Sequence, residues 1–146
     1  MAVLEASDDA RRTPGAGTPG EQSLRRVLCV DDDLLLARLL MRQLSLLGYE
    51  VCAVSSGSEA LAKLDAEPRR FDALVTDYHM PGMNGGELAR RATELQPGMV
   101  VVLLTGSIDD GFIAVEDRAR VDRILHKPFK LEALEQTLTE ALAARR

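Results

Sequence analysis

The feature that most restricts the fold of this chain is a regular alternation of short apolar segments with longer helical patterns, from about residue 26 to residue 144. The apolar segments are rich in Val, Leu and Ile, and each is followed by apolar residues at helical spacing. Strands that alternate with helices form parallel sheets with right-handed connections and helices on both faces. The alternation therefore predicts an α/β fold built on a doubly wound, five-stranded parallel sheet.

The boundaries of these elements follow from the apolar runs and from the glycine and proline residues between them. The predicted strands are residues 27–30, 51–54, 71–76, 99–105 and 121–125. The predicted helices are residues 34–47, 58–64, 87–95, 108–117 and 131–144. Gly111 lies within the fourth helical pattern and disfavours a helix by up to about 1 kcal/mol relative to alanine. We therefore expect the fourth helix to be short or mobile.

Residues 1–23 combine proline, glycine and charged residues without a periodic apolar pattern. We interpret them as a disordered leader, followed by one domain over residues 24–146. The longest apolar run, residues 99–104, is too short to span a bilayer, and the leader has no apolar stretch of signal-peptide length. The net charge is −5, without a block of basic residues. We therefore expect a cytoplasmic protein that contacts neither membrane nor nucleic acid through this chain.

Acidic residues follow two of the predicted strands. Asp31, Asp32 and Asp33 come directly after the first strand, and Asp77 lies at the end of the third. The carboxyl ends of parallel strands meet at one edge of a sheet, where open α/β sheets bind their ligands, so these carboxylates should converge. Asp33 also suits the N-cap of the first helix. Crowded carboxylates without His or thiol ligands predict a hard divalent cation, Mg²⁺ first, with Mn²⁺ or Ca²⁺ as alternatives.

The fourth and fifth strands bring a hydroxyl and an ammonium group to the same edge. Thr105 ends the fourth strand and Lys127 follows the fifth. A carboxylate, a divalent cation, a hydroxyl donor and a lysine together suit phosphoryl transfer, because the cation and the lysine neutralise the charge of the transferred group. In this interpretation Asp77 is the nucleophile and becomes an acyl phosphate.

Several short motifs occur in order along the chain. They are VLCVDD at 27–32, DALVTD at 72–77, MPGMNG at 80–85, LLTG at 103–106 and KPF at 127–129. Together they resemble the receiver domain of two-component response regulators, over about residues 25–144. The resemblance implies a (βα)₅ flavodoxin-like domain with strand order 2-1-3-4-5.

The resemblance also implies a role for each acidic residue. Asp77 would accept phosphate from a phosphohistidine on a sensor histidine kinase or a histidine phosphotransfer protein. Asp32 and Asp77 would coordinate Mg²⁺ directly, and Asp31 would hold it mainly through water. The backbone carbonyl of His79 would complete the protein's share of the coordination, and Mn²⁺ would be able to replace Mg²⁺.

For the other site residues, the resemblance implies that Thr105 turns its hydroxyl to the phosphoryl group and that Lys127 pairs with it. The Lys127–Pro128 bond would be cis. The protein would act as a stand-alone switch or a phosphorelay intermediate, as a monomer or weak dimer. Its catalysis would be limited to its own phosphorylation and slow dephosphorylation, so it is not expected to be an enzyme in the usual sense.

Three other interpretations remain. The chain is the receiver segment of a hybrid histidine kinase, or it is a degenerate receiver used only for protein–protein interaction, against which Thr105 and Lys127 argue. The third is an aspartyl-phosphate phosphatase of the haloacid dehalogenase type. Asp31 and Asp33 have the spacing that this class requires, but the loop after Asp77 would then have no explanation.

Two positions near the site affect how it would work. Receiver domains usually carry Tyr or Phe three residues before the lysine, whereas this chain has Ile124. We therefore expect the switch to use a different packing change from the common aromatic one. His79, two residues after Asp77, is interpreted as a solvated loop residue, with control of the acyl-phosphate lifetime as the alternative.

The first helix has more apolar residues than it needs to cover a sheet. The stripe predicted to face the sheet consists of Leu36, Leu39, Leu40, Leu44 and Leu47. Leu34, Leu35 and Met41 then have no core position. In the family this helix docks the histidine-bearing helices of a partner, so we interpret these three residues as a docking surface.

Overall fold

The computed structural model describes residues 25–67, 69–106 and 113–145. The predicted leader, residues 1–23, lies outside the described residues. The strands in the described part are Arg26–Val30 (β1), Glu50–Val54 (β2), Ala73–Asp77 (β3), Val100–Thr105 (β4) and Arg123–His126 (β5). The helices there are Leu34–Leu46 (α1), Gly57–Ala66 (α2), Gly85–Leu95 (α3), Val115–Arg118 (α4) and Leu131–Ala144 (α5).

The five strands form one parallel sheet in the order β2-β1-β3-β4-β5, which confirms the predicted topology. Successive side chains of a strand point to opposite faces, so each strand contributes to two apolar clusters. Val27 belongs to the cluster that includes Leu134 of α5, and Leu28 to the cluster that includes Leu88 of α3. The core is therefore two layers of side chains, one on each face of the sheet.

The buried face of α1 differs from the predicted stripe. Leu36 and Leu39 were predicted to cover the sheet, but they are 46% and 51% exposed, and Leu47 is also exposed. The residues that pack on the core have the spacing i, i+3, i+4 and i+7, and they are Ala37, Leu40, Met41 and Leu44. The buried face is therefore rotated by about one residue from the predicted stripe and includes the small side chain of Ala37. Met41 therefore has a core position that the sequence did not suggest.

The region between β4 and β5 also departs from the predicted boundaries. Helix α4 has only four residues, at the end of the predicted segment, and Gly111 lies outside the described residues. Val121 was predicted to open the fifth strand, but its N–H donates to the Arg118 carbonyl and continues the turn of α4. The carboxylate of Asp122 accepts a 2.7 Å hydrogen bond from the Val101 N–H, and β5 begins at Arg123, two residues after the predicted start.

A charge network around Arg26 closes the amino edge of the sheet. Arg26 is buried, and its guanidinium lies 3.2 Å from Glu67 Oε1 and 3.5 Å from Glu50 Oε2. The guanidinium also stacks on the Phe71 ring at 4.2 Å from the ring centre. Burying an arginine is favourable only when its charge and donors find such partners. Among the described residues, no helix is long and apolar enough to cross a bilayer.

Candidate functional site

The carboxyl edge of the sheet brings together the three carboxylates among the four predicted metal ligands. Asp31 directly follows β1, Asp32 follows it, and Asp77 is the last residue of β3. One oxygen from each side chain lies within 4.8 Å of the others. Asp31 and Asp77 are 5% and 7% exposed, whereas Asp32 is open to solvent. This arrangement gives a cation two buried carboxylates and one that faces water.

Asp33 takes the capping role that the sequence allowed. Its Oδ1 accepts a 3.0 Å hydrogen bond from the Leu35 N–H at the start of α1. Its own N–H donates to Asp31 Oδ1 at 2.9 Å, which orients that carboxylate toward the cluster. Asp33 is thus occupied by the helix and is not a member of the acidic cluster.

The Asp31 carboxyl is electrostatically unfavourable in its ionised form. Burial raises the pKa of Asp31 above its ordinary value, and the charges of Asp77 and Asp32 raise it further. The hydrogen bond from the Asp33 N–H and the charge of Lys127 act in the opposite direction without cancelling the increase. The site therefore favours any additional positive charge.

Lys127 partly compensates this negative charge. Its Nζ lies 2.8 Å from Asp77 Oδ1 and 3.7 Å from Asp31 Oδ2. Burial lowers the pKa of Lys127, but the hydrogen bond and charge of Asp77 outweigh burial and raise the pKa overall. Three carboxylates face one ammonium group here, so the neutralisation is incomplete.

Strand β4 supports both sides of the site through its backbone. The Tyr78 N–H donates to the Leu104 carbonyl, and the Lys127 N–H donates to the Thr105 carbonyl, each at 2.8 Å. Thr105 is fully buried at the end of β4, one residue beyond the Leu104 that pairs with Asp77 in the sheet. The Lys127–Pro128 bond is cis, as the sequence predicted.

Close contacts shape the loop after β3. The Gly85 N–H donates to the Tyr78 carbonyl at 2.8 Å, and a Cβ atom at Gly85 would collide with the Asp77 carbonyl oxygen. Gly82 has φ +82°, a conformation that favours glycine. The His79 side chain is exposed and meets the Tyr78 ring edge-on, with 4.8 Å between ring centres.

A buried polar network beside the carboxylates was not predicted. The Tyr78 hydroxyl donates to Asp117 Oδ2 at 2.9 Å, and Arg90 donates to Asp117 Oδ1 at 2.7 Å. Burial and the bond to Asp117 raise the pKa of Tyr78. Ile124, the predicted switch position, packs against the cluster that Tyr78 forms with Leu103. Asp117 lies in a short, polar stretch of sequence, where nothing distinguishes it from a surface acid.

An apolar patch borders the site on its α1 side. Leu34 and Leu35, two of the predicted docking residues, are 38% and 74% exposed, whereas Met41 packs partly against the core. A groove of about 380 Å³ runs between α1 and the segment after β5, and its lining includes Leu36 and Leu39. Leu36 and Leu39, which were predicted to face the sheet, are therefore exposed and extend the apolar patch next to the carboxylates.

Comparisons with known proteins agree with this arrangement. The family model of the response regulator receiver domain matches residues 27–139. The response regulator receiver protein CpdR of Brucella abortus (strain 2308) is 36% identical over 121 residues, which cover 83% of this chain and 99% of that protein. The virulence sensor protein BvgS of Bordetella parapertussis is 40% identical over 155 residues, which cover 98% of this chain and 12% of that protein.

Solved structures show the same fold. The crystal structure of a CheY-like response regulator receiver domain protein from Methanospirillum hungatei JF-1 superposes with a TM-score of 0.74 at 31% sequence identity. The match covers 84% of this chain and 97% of that one. The similarity therefore extends over nearly the whole of a known receiver domain.

Proposed function

This chain belongs to the response regulator receiver domain family of two-component signalling, and we propose that it accepts a phosphoryl group on Asp77 from a phosphohistidine. The donor is a sensor histidine kinase or a histidine phosphotransfer protein. The observation that carries the proposal is the position of Asp77 Oδ1, 2.8 Å from Lys127 Nζ within a cluster that also holds Asp31 and Asp32.

In the proposed reaction, an Asp77 carboxylate oxygen attacks the phosphorus atom of the phosphohistidine. The new P–O bond forms as the P–N bond breaks, and the imidazole leaves with the electron pair of that bond and takes a proton from solvent. Lys127 moves from the attacking carboxylate to a phosphoryl oxygen. The Thr105 hydroxyl donates a hydrogen bond to another phosphoryl oxygen, so that both residues stabilise the acquired charge.

The side chains of Asp31, Asp32 and Asp77, with the backbone carbonyl of His79, would hold Mg²⁺ in this site, or Mn²⁺ in its place. The fit rests on an all-oxygen donor set and on the excess of carboxylates over ammonium groups, both typical of hard divalent cations. When bound, the cation supplies positive charge to the oxygens of the transferred group.

The proposed role is that of a switch or relay in the cytoplasm, with slow loss of phosphate by hydrolysis as the reset. The exposed leucines at the start of α1, Leu34 and Leu35, support docking of a histidine-bearing helix, and Met41 lines the same surface depression as Leu34. CpdR is matched along its length, whereas BvgS is matched over a small fraction. Both a stand-alone receiver and a segment of a hybrid kinase are therefore consistent with these relatives.

Acetyl phosphate and Mg²⁺ provide the direct test. We expect the wild-type protein to gain the mass of one phosphoryl group and the Asp77→Asn variant to gain none. The control is Asp65→Asn, which removes an exposed carboxylate on α2 and should leave phosphorylation unchanged. Phosphorylation of Asp77→Asn would contradict the choice of acceptor, and an unmodified wild type would favour a degenerate receiver.

A further inference from the structure

We propose that Tyr78, Asp117 and Arg90 form a mechanical link that reports phosphorylation of Asp77 to helix α4. The inference rests on the proposed function, since it needs a phosphoryl group on Asp77. Tyr78 directly follows Asp77 in the chain, Asp117 belongs to α4, and Arg90 belongs to α3. Buried hydrogen bonds join the three side chains.

Asp117 is the centre of this link. It is 7% exposed, and each of its two carboxylate oxygens accepts one bond, from the Tyr78 hydroxyl at 2.9 Å and from Arg90 at 2.7 Å. A buried carboxylate needs such donors, because an unpaired buried charge is strongly unfavourable. Loss of either donor should therefore change how Asp117 is held, and with it the helix that carries it.

Helix α4 depends on contacts outside itself. It has four residues and no side-chain hydrogen bond at its N-cap, and one isolated helical turn is unstable on its own. A Cβ atom at Gly86 of α3 would collide with the Asp117 side chain, so the glycine allows close approach of the two helices. Asp117 thus anchors α4 to α3.

Tyr78 connects that anchor to the acceptor. It follows Asp77 directly, and its backbone is fixed on both sides by bonds to the Leu104 carbonyl and the Gly85 N–H. Its ring is buried against Leu103, with Ile124 packed on the same cluster. The aromatic ring beside the site is therefore contributed by the residue after the acceptor, while the position predicted for a switch aromatic holds an isoleucine.

Phosphorylation would act on this link through the Asp77 backbone. Phosphorylation replaces the singly charged Asp77 carboxylate with a bulkier acyl phosphate that carries about −1.5 to −2 charges in total, and it draws Lys127 toward the phosphoryl oxygens. In the proposed link, a shift at Asp77 is passed through the hydrogen-bonded peptide that joins it to Tyr78 and moves the Tyr78 hydroxyl relative to Asp117. We infer that phosphorylation weakens this bond and loosens α4. Linkage requires the reverse as well, so that breaking the link favours the phosphorylated form.

Amide exchange measured by NMR tests the first half of this inference. The N–H groups of Asp117 and Arg118 donate to the Ala114 carbonyl, so their exchange reports the opening of α4. Fluoroberyllate with Mg²⁺ serves as the phosphoryl mimic. In the wild type we expect exchange at these amides to rise by about fivefold or more when the mimic binds, a coupling of ordinary size. In Tyr78→Phe, exchange should be fast already and should not change with the mimic.

Binding of the mimic tests the second half. Tyr78→Phe should bind fluoroberyllate about fivefold more tightly than the wild type, because the link no longer opposes the bound state. Arg90→Met should shift exchange and affinity in the same direction. The matched control is Arg91→Met on the same helix, whose side chain pairs with Glu87 at the surface and should behave as wild type.

Phosphorylation by acetyl phosphate is measured in the same samples by mass. If the wild type gains no phosphate, the proposed function fails. If it is phosphorylated but α4 exchange stays constant, or if Tyr78→Phe responds as the wild type does, the link fails while the proposed function stands. If Tyr78→Phe does not fold, Asp117→Asn takes its place. This variant still accepts a hydrogen bond from the Tyr78 hydroxyl but loses the charge that pairs with Arg90. The outcomes stated for Tyr78→Phe then apply to it.

Discussion

The two edges of the sheet treat buried charge in opposite ways. At the amino edge, the Arg26 charge is paired with the carboxylates of Glu50 and Glu67 and stacks on an aromatic ring, although its buried Nε has no hydrogen-bond partner among the described residues. At the carboxyl edge, the carboxylates of the acidic cluster share one lysine. The first arrangement stabilises the fold, and the second leaves an excess of negative charge, which in the proposed function serves a cation and phosphoryl transfer. Uncompensated charge inside a protein is thus a sign of function.

Removing the charge at the compensated edge should have the largest effect on stability. Arg26→Met leaves the Glu50 and Glu67 carboxylates without their buried partner and should lower the free energy of unfolding by about 3 kcal/mol. The control is Arg69→Met, which removes a 3.0 Å pair with Glu50 from a side chain that is 60% exposed. Urea unfolding should show a loss below about 1 kcal/mol for this variant. Equal losses would remove the distinction between a structural network and a surface pair.

The uncompensated edge should respond to a cation. Mg²⁺ at about 100 times its dissociation constant should raise the free energy of unfolding of the wild type by about 2.7 kcal/mol. Asp32→Asn should lose most of this increase, measured against the stability of the same variant without Mg²⁺. Asp65→Asn, which removes an exposed carboxylate outside the acidic cluster, should retain it. Thermal unfolding with and without Mg²⁺ measures the difference, and full stabilisation of Asp32→Asn would exclude this residue as a ligand.

A smaller effect is expected from relieving the crowded charge itself. In metal-free buffer at pH 7, Asp31→Asn should be more stable than the wild type by about 1 kcal/mol, because the amide still accepts the Asp33 N–H but carries no charge. The Asp31 pKa is raised in the folded state, so ionisation destabilises the fold as pH rises through that pKa. The advantage of the variant should vanish below the ordinary Asp value of 3.8. A difference that persists in acid would contradict a charge origin.

The sequence was a good guide where local pattern and topology act together. The alternation of strands and helices predicted a five-stranded parallel sheet, the resemblance implied its strand order, and the strand ends placed Asp31, Asp77 and Lys127 at one edge. The predicted buried face of α1 was wrong because a helix that is apolar on several sides has no single stripe, and the face that packs on the sheet includes the small residue Ala37. The bond between Tyr78 and Asp117 joins residues far apart in sequence through a short helix with no pattern of its own.

The backbone of β4 has a consequence for which length changes the domain can accept. Tyr78, next to the acceptor, and Lys127 are fastened to neighbouring carbonyls of this strand, at Leu104 and Thr105. A residue inserted between Leu104 and Thr105 would separate the two attachments by about 3.3 Å and carry the ammonium group away from the carboxylate. Relatives with the same site should therefore differ in the length of the segments between helices and strands, whereas the number of residues in β4 should stay constant.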